Sequence, residues 1–134
     1  MKKSLIFVLA VLIIAACLSG CSLFGKKGKE GEEKIELTAY VPGDYFVTNV
    51  KGSSKLFKTT VVLMLDTDKL ADELGDSEYV IRDTIIKRLR ELTEEDLKSD
   101  GIQDRLRGEL AKELNLALGI ENIVTVYFSD FVMQ

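Results

Sequence analysis

Few residues in this chain are equipped for chemistry. Histidine is absent, and the two cysteines, Cys17 and Cys21, both lie near the front. Beyond residue 21 the commonest general base and the strongest common nucleophile are therefore missing. Three charged clusters offer substitutes. Asp66-Thr67-Asp68 places two carboxylates after a strand, a donor set that suits a divalent cation. The simpler use of Asp66 or Asp68 is to cap the following helix, and that role is expected. Glu94-Glu95-Asp96 resembles a paired-acid site, yet acids in the first turn of a helix follow from the helix dipole alone. Lys87-Arg88-Leu89-Arg90 is a basic run near a helix end, expected as a solvated, dipole-complementing face with anionic lipid headgroups as a further partner. Tyr40, Tyr45 and Phe46 around Pro42-Gly43 are expected to pack in the core and turn. No catalytic residue, metal ligand or cofactor is assigned, and the chain is not expected to be an enzyme.

The cysteines have a different use. Lys2 and Lys3 form a positive start, Leu5 to Leu18 is apolar, and Leu18-Ser19-Gly20-Cys21 follows. This is the three-part layout of a secretory signal, and its end is similar to the lipobox of bacterial lipoproteins. Cys21 is the expected lipidation site, with Ile14-Ala15-Ala16-Cys17 as an overlapping alternative. The rival reading is an uncleaved transmembrane helix over Leu5 to Phe24, close to the roughly twenty apolar residues that a bilayer requires. Either anchor places the remainder on the extracytoplasmic side of a membrane.

Three regions are expected: a signal peptide or anchor at 1–20, a lipidated cysteine with a flexible linker at 21–34, and a single exported domain at 35–134. The linker mixes Gly25, Gly28 and Gly31 with Lys and Glu, and as a coil its reach is about 20 Å. Residues 1–20 carry Lys2 and Lys3 but no acid, so cleavage there moves the net charge from −4 to −6. An acidic domain lacks the basic face that nucleic acid needs. With both cysteines in the signal region, the domain has no internal disulfide and must hold together by its core.

Within that domain the pattern predicts an α+β fold, a small sheet of three to four strands packed against two or three helices. Ile35, Leu37, Ala39 and Val41 alternate as a short strand that stops at Pro42-Gly43. Asp44 to Val50 and Leu56 to Leu65 should pair as a hairpin, the latter with Phe57, Val61, Leu63 and Leu65 on one face. A short helix over Asp68 to Leu74 should close at Gly75. A second, Glu78 to Leu92, carries Ile81, Ile85, Leu89 and Leu92 as a stripe, while Arg82, Lys87, Arg88 and Arg90 face elsewhere. Thr93 with Asp96 reads as a capping box. A helix from about Asp100 to Ala117 carries Ile102, Leu106, Leu110 and Leu114 and should stop at Gly119. The β-branched and aromatic stretch Ile123 to Gln134 should return to the sheet beside the long strand, with Phe128 and Phe131 in the core.

Several of these segments fall in a familiar order. Ile81-Arg82-Asp83-Thr84-Ile85-Ile86, then Leu89, then Thr93-Glu94-Glu95-Asp96-Leu97 resemble motifs of the flagellar basal-body-associated FliL family. Leu106, Glu109, Leu110 and Asn115 continue the likeness, Asn49-Val50 resembles the family's early strand, and Ile123 to Gln134 resembles its closing signature. The match runs from about Tyr45 to Gln134. It implies a stomatin-like fold, assembly into a homo-oligomeric ring, and a role beside the ion-driven stator in rotation, motility and chemotaxis. FliL-like proteins are usually anchored by a helix, so the lipobox departs from the family. The alternative is a membrane-anchored scaffold or ligand-binding lipoprotein unrelated to motility.

Overall fold

The computed structural model describes residues 36–134. The signal region, Cys17, Cys21 and the linker lie outside the described residues, so the anchor and the three-region division stand on the sequence alone. Among the described residues the fold is α+β, with a four-stranded antiparallel sheet and four helices.

Strand β3 (Leu56–Leu65) organises the sheet. Every second side chain, Phe57, Thr59, Val61, Leu63 and Leu65, is buried on one face. Strand β4 (Ile123–Met133) pairs with β3 along one side. Two short strands share the other side: β1 (Thr38–Tyr40) opposes the C-terminal half of β3, and β2 (Phe46–Asn49) opposes its N-terminal half. The expected β2–β3 hairpin is present, with Phe46 opposite Thr59 and Asn49 opposite Leu56.

The first strand differs from its prediction in phase. Ala39 and Val41 are exposed, whereas Tyr40 packs against the core. Tyr40 lies opposite inward-facing Leu63, and residues directly opposed in an antiparallel pair share a face. Burying a tyrosine ring outweighs burying the small side chain of Ala39.

Four helices connect β3 to β4: α1 (Ala71–Asp76), α2 (Glu78–Leu89), α3 (Glu94–Lys98) and α4 (Ile102–Leu118). The predicted stripe of α2 is buried, at 0 % for Ile81 and Ile85 and 1 % for Leu89. Its helix ends at Leu89 rather than Leu92, but Leu92 remains buried beyond the end. Helix α4 buries Ile102, Leu106, Leu110 and Leu114, and it stops at Gly119, whose left-handed φ of 68° closes the last turn. Gly75 does not terminate α1. The helix runs through it to Asp76, and the Ser77 N–H caps it by bonding to the Leu74 carbonyl at 3.2 Å.

Phe128 and Phe131 are half-buried against the core rather than sealed within it. A register shift in β4 opposite Lys58 and Thr60 contains Asp130, which takes φ 54°. One extra residue there bends the strand. Phe131 then meets Phe57 edge-on at 4.6 Å and Phe128 at 5.7 Å.

Candidate interaction surfaces

Three of the five carboxylates that composition offered for chemistry, Asp66, Glu94 and Asp96, are drawn by this fold into structural bonds. Asp66 accepts from the Asn122 side chain at 2.8 Å, tying the end of β3 to the start of β4. Asp68 supplies its main-chain carbonyl to the Ala71 N–H, and neither side chain caps α1. That expectation fails because the turn after β3 places Leu70, not an Asp, at the N-cap. Among the described residues no group of three His, Cys, Asp or Glu side chains converges as a metal would require.

Glu94, Glu95 and Asp96 form the first turn of α3, as expected. Thr93 and Asp96 close the capping box reciprocally: the Asp96 N–H donates to Thr93 Oγ1 at 3.2 Å, and the Thr93 N–H donates to Asp96 Oδ2 at 3.1 Å. The Thr93 hydroxyl, donating to Asp96 Oδ2 at 2.7 Å, and then the Thr93 N–H hold the Asp96 carboxyl below its usual range, with Arg105 adding a further contact at 3.1 Å. Glu94 accepts from Lys55 at 2.7 Å, from Ser53 at 2.6 Å and from Lys98 at 3.2 Å. Those donors, Lys55 foremost, lower its pKa to about 2.

Through Glu94 the β2–β3 turn is clamped to the junction between α2 and α3. The main chain reinforces the clamp: the Lys51 N–H donates to the Leu92 carbonyl at 2.9 Å, and Lys51 bridges to Thr93. A shallow concavity of about 640 Å³ opens at this corner, lined by Asn49, Val50, Lys51, Gly52, Ser53, Ser54 and Arg90.

The basic run does not act as one patch. Lys87 pairs with Asp83 one turn earlier, and Leu89 is core. Arg88 turns toward α4, where it pairs with Glu109, lies 3.9 Å from Glu113 and also bonds Glu91 at 3.1 Å. Its three acidic neighbours raise its pKa against the opposing pull of burial. Arg90 alone of the run makes no ion pair among the described residues. Lys87 and Arg90 stay exposed at the helix end, as expected of a solvated, dipole-complementing face, whereas Arg88 is drawn into the contact with α4.

Arg82 carries a role that no local pattern announced. Its guanidinium donates to the Pro42 carbonyl at 2.6 Å and stacks over the Phe46 ring at 4.6 Å. The contact locks the β1–β2 connection onto α2. Gly43 permits it, since φ is +77° there and a Cβ would collide with the Arg82 guanidinium. Nearby, burial and the charge of Glu78 raise the pKa of Tyr40. Phe46 is core as expected, but Tyr45 is 51 % exposed, with Lys58 Nζ 4.6 Å from its ring centroid.

The second open surface is the outer face of the sheet. Val47, Tyr127 and Val132 alternate out of β2 and β4 and remain 44–48 % exposed. Register sets Val47 and Val132 on either side of Lys58, and Tyr127 beside Val62. Lys58 and Thr60 interrupt these side chains, and the Arg107 guanidinium lies 5.0 Å from the Tyr127 ring centroid, so they stand as separate exposed apolar residues rather than one patch.

Such a domain has known counterparts. Residues 40–134 match the model of the family described as flagellar basal body-associated protein FliL. The chain is 26 % identical over 116 residues to the flagellar protein FliL of Bacillus subtilis (strain 168), covering 84 % of this chain and 82 % of the relative. It is 28 % identical over 77 residues to the flagellar protein FliL of Aquifex aeolicus (strain VF5), covering 58 % of this chain and 48 % of the relative. The family match takes in all four strands but the start of β1, all four helices, the Arg82 latch and the capping box, and the chain belongs to the flagellar basal body-associated FliL family.

Proposed function

We propose that this chain is a non-catalytic accessory of the flagellar motor, held on the extracytoplasmic side of the cell membrane beside the stator. It supports rotation, and through rotation motility and chemotaxis, by contacts with stator and basal-body proteins and with further copies of itself in a ring. Family membership across residues 40–134 carries this reading. The engagement of Asp66, Glu94 and Asp96 in ties, clamps and caps is consistent with it. The anchor is the lipid on Cys21, with Cys17 or an uncleaved helix as the alternatives.

The test is mechanical. Deleting the gene should leave flagella assembled but weaken swimming, most at high viscosity, where stators must stay engaged against load. Bead-rotation torque in the deletion strain, measured across a range of viscosities, reads this directly. Normal torque at every load, with normal flagella, would shift the assignment to a membrane scaffold unrelated to motility.

A further inference from the structure

We propose that the corner where the β2–β3 turn meets the α2–α3 junction docks an acidic segment of a partner protein, whose carboxylates are taken by Lys51 and Arg90. The inference rests on the contact-based function above and names one of its surfaces.

Charge is the first argument. The described domain is acidic, and half of its twelve cations are already committed. Lys55, Lys87, Arg88, Lys98, Arg105 and Arg107 all sit in ion pairs. Lys51 and Arg90 do not, among the described residues, and they line the same concavity although they lie on different elements. The acids around them are engaged elsewhere: Glu91 with Arg88, Glu94 with Lys55 and Lys98, and Asp96 with Arg105. Exposed Glu95 is the one acid of α3 without a pair among the described residues. Lys51 and Arg90 thus face one concavity together without an acidic partner, and the flat guanidinium of Arg90 suits a carboxylate in bidentate contact.

Rigidity is the second. The Glu94 clamp, the Lys51–Leu92 bond and the capping box fix both sides of the concavity before any ligand arrives. A site already ordered loses little entropy on binding.

The choice of protein over lipid follows from topology. The chain enters the sheet at Thr38, which pairs with Leu65, whereas the corner adjoins Leu56 at the opposite end of β3. Nine residue steps of strand separate the two ends, about 30 Å. An anchor ahead of β1 therefore tethers the far end of the sheet from the corner. Asn49, at the end of edge strand β2, also lines the concavity and offers both a donor and an acceptor to a peptide main chain.

The experiment reverses the charges in the full-length chain. Lys51→Glu/Arg90→Glu is compared with Lys69→Glu/Lys112→Glu, which reverses two exposed cations elsewhere on the domain. A labelled oligoglutamate peptide serves as the probe, titrated by fluorescence anisotropy onto the membrane-reconstituted protein. Binding should weaken by roughly tenfold or more in the first variant and stay at the parent value in the second, with a steep decline in salt. Lys51→Gln/Arg90→Gln should fall between, and matched thermal melts confirm that all variants fold. In cells the first variant should lose high-load torque while the second retains it. Equal peptide affinity in parent and Lys51→Glu/Arg90→Glu would overturn the site. So would phosphatidylglycerol vesicles binding through these two residues more tightly than the peptide, which would make it a lipid contact. Full torque from the reversed variant in a motor that the gene deletion weakens would also sink the site and leave the proposed function standing. A deletion strain with unimpaired torque would instead overturn the function itself.

Discussion

Glu94 shows how one side chain in this chain changes its meaning between sequence and structure. As a letter in Glu94-Glu95-Asp96 it is one of three first-turn acids with a favourable dipole. In the fold it is the point where Lys55, Ser53 and Lys98 converge. Its pKa falls to about 2 because these donors favour the charged form, Lys55 first among them. A depressed folded-state pKa stabilises the fold fully above the unfolded value, 4.5 for this carboxyl, and loses that contribution as pH falls toward about 2. Melting temperature should therefore drop through that window, and Glu94→Gln should flatten the drop while lowering stability at neutral pH. Thermal melts followed by circular dichroism from pH 7 to pH 2 would read both effects; a Glu94→Gln curve parallel to the parent's would remove Glu94 from the account. Arg88 makes the complementary point about cations. It reads as part of a solvated run, yet it faces α4 because Glu109 and Glu113 wait there, more than twenty residues away in sequence.

At the scale of elements, β4 ties the domain together. It pairs with most of β3, packs against α4, and its Phe131 ring meets Phe57 edge-on. Removing residues 128–134 would take away Phe128, Phe131 and Met133 and unpair the N-terminal half of β3 along that side. A fully buried Phe→Ala change costs about 3–5 kcal/mol, and even half of that for each ring approaches the total stability of a domain this size. The truncated protein should lose its cooperative melt, and a sharp transition near the parent's temperature would show that the strand is dispensable. Local patterns made much of this legible. The two-residue alternation of β3, the stripe of α2, the Thr93–Asp96 box and the Gly119 stop are all written within a few residues of where they act. What escaped depends on distant partners. The phase of β1 is set by Leu63 across the ladder, the end of α1 by a turn that passes Gly75 without a positive φ, and the latch of Arg82 by a carbonyl forty residues earlier. The corner was visible only in halves: Lys51 lies between the two strands expected to pair, Arg90 reads as helix end, and nothing in either segment says that they share a concavity.

For the molecule as a whole, the domain's surfaces matter only where the anchor brings them. Contacts of the proposed kind are weak one by one, and a tether raises their effective concentration by confining the domain near its partners. On the proposed function an anchor would thus be part of the mechanism and not merely an address. One acyl chain gives reversible membrane binding, whereas two or more hold stably, so diacylglyceryl transfer to Cys21 is the step that would commit the protein to the bilayer. Replacing Cys21 with Ala should abolish incorporation of a clickable fatty acid, leave the signal uncut, and fail to restore torque to the deletion strain, although the domain itself should melt as the parent does. Labelling that survives Cys21→Ala and disappears in Cys17→Ala would move the site four residues forward. A parent chain that never takes label would favour the uncleaved helix over Leu5 to Phe24, with the positive Lys2 and Lys3 on its inner side. Full motility from an unlabelled, soluble Cys21→Ala protein would be the most damaging result, because a domain that works free in solution does not need the membrane position on which the proposed function depends.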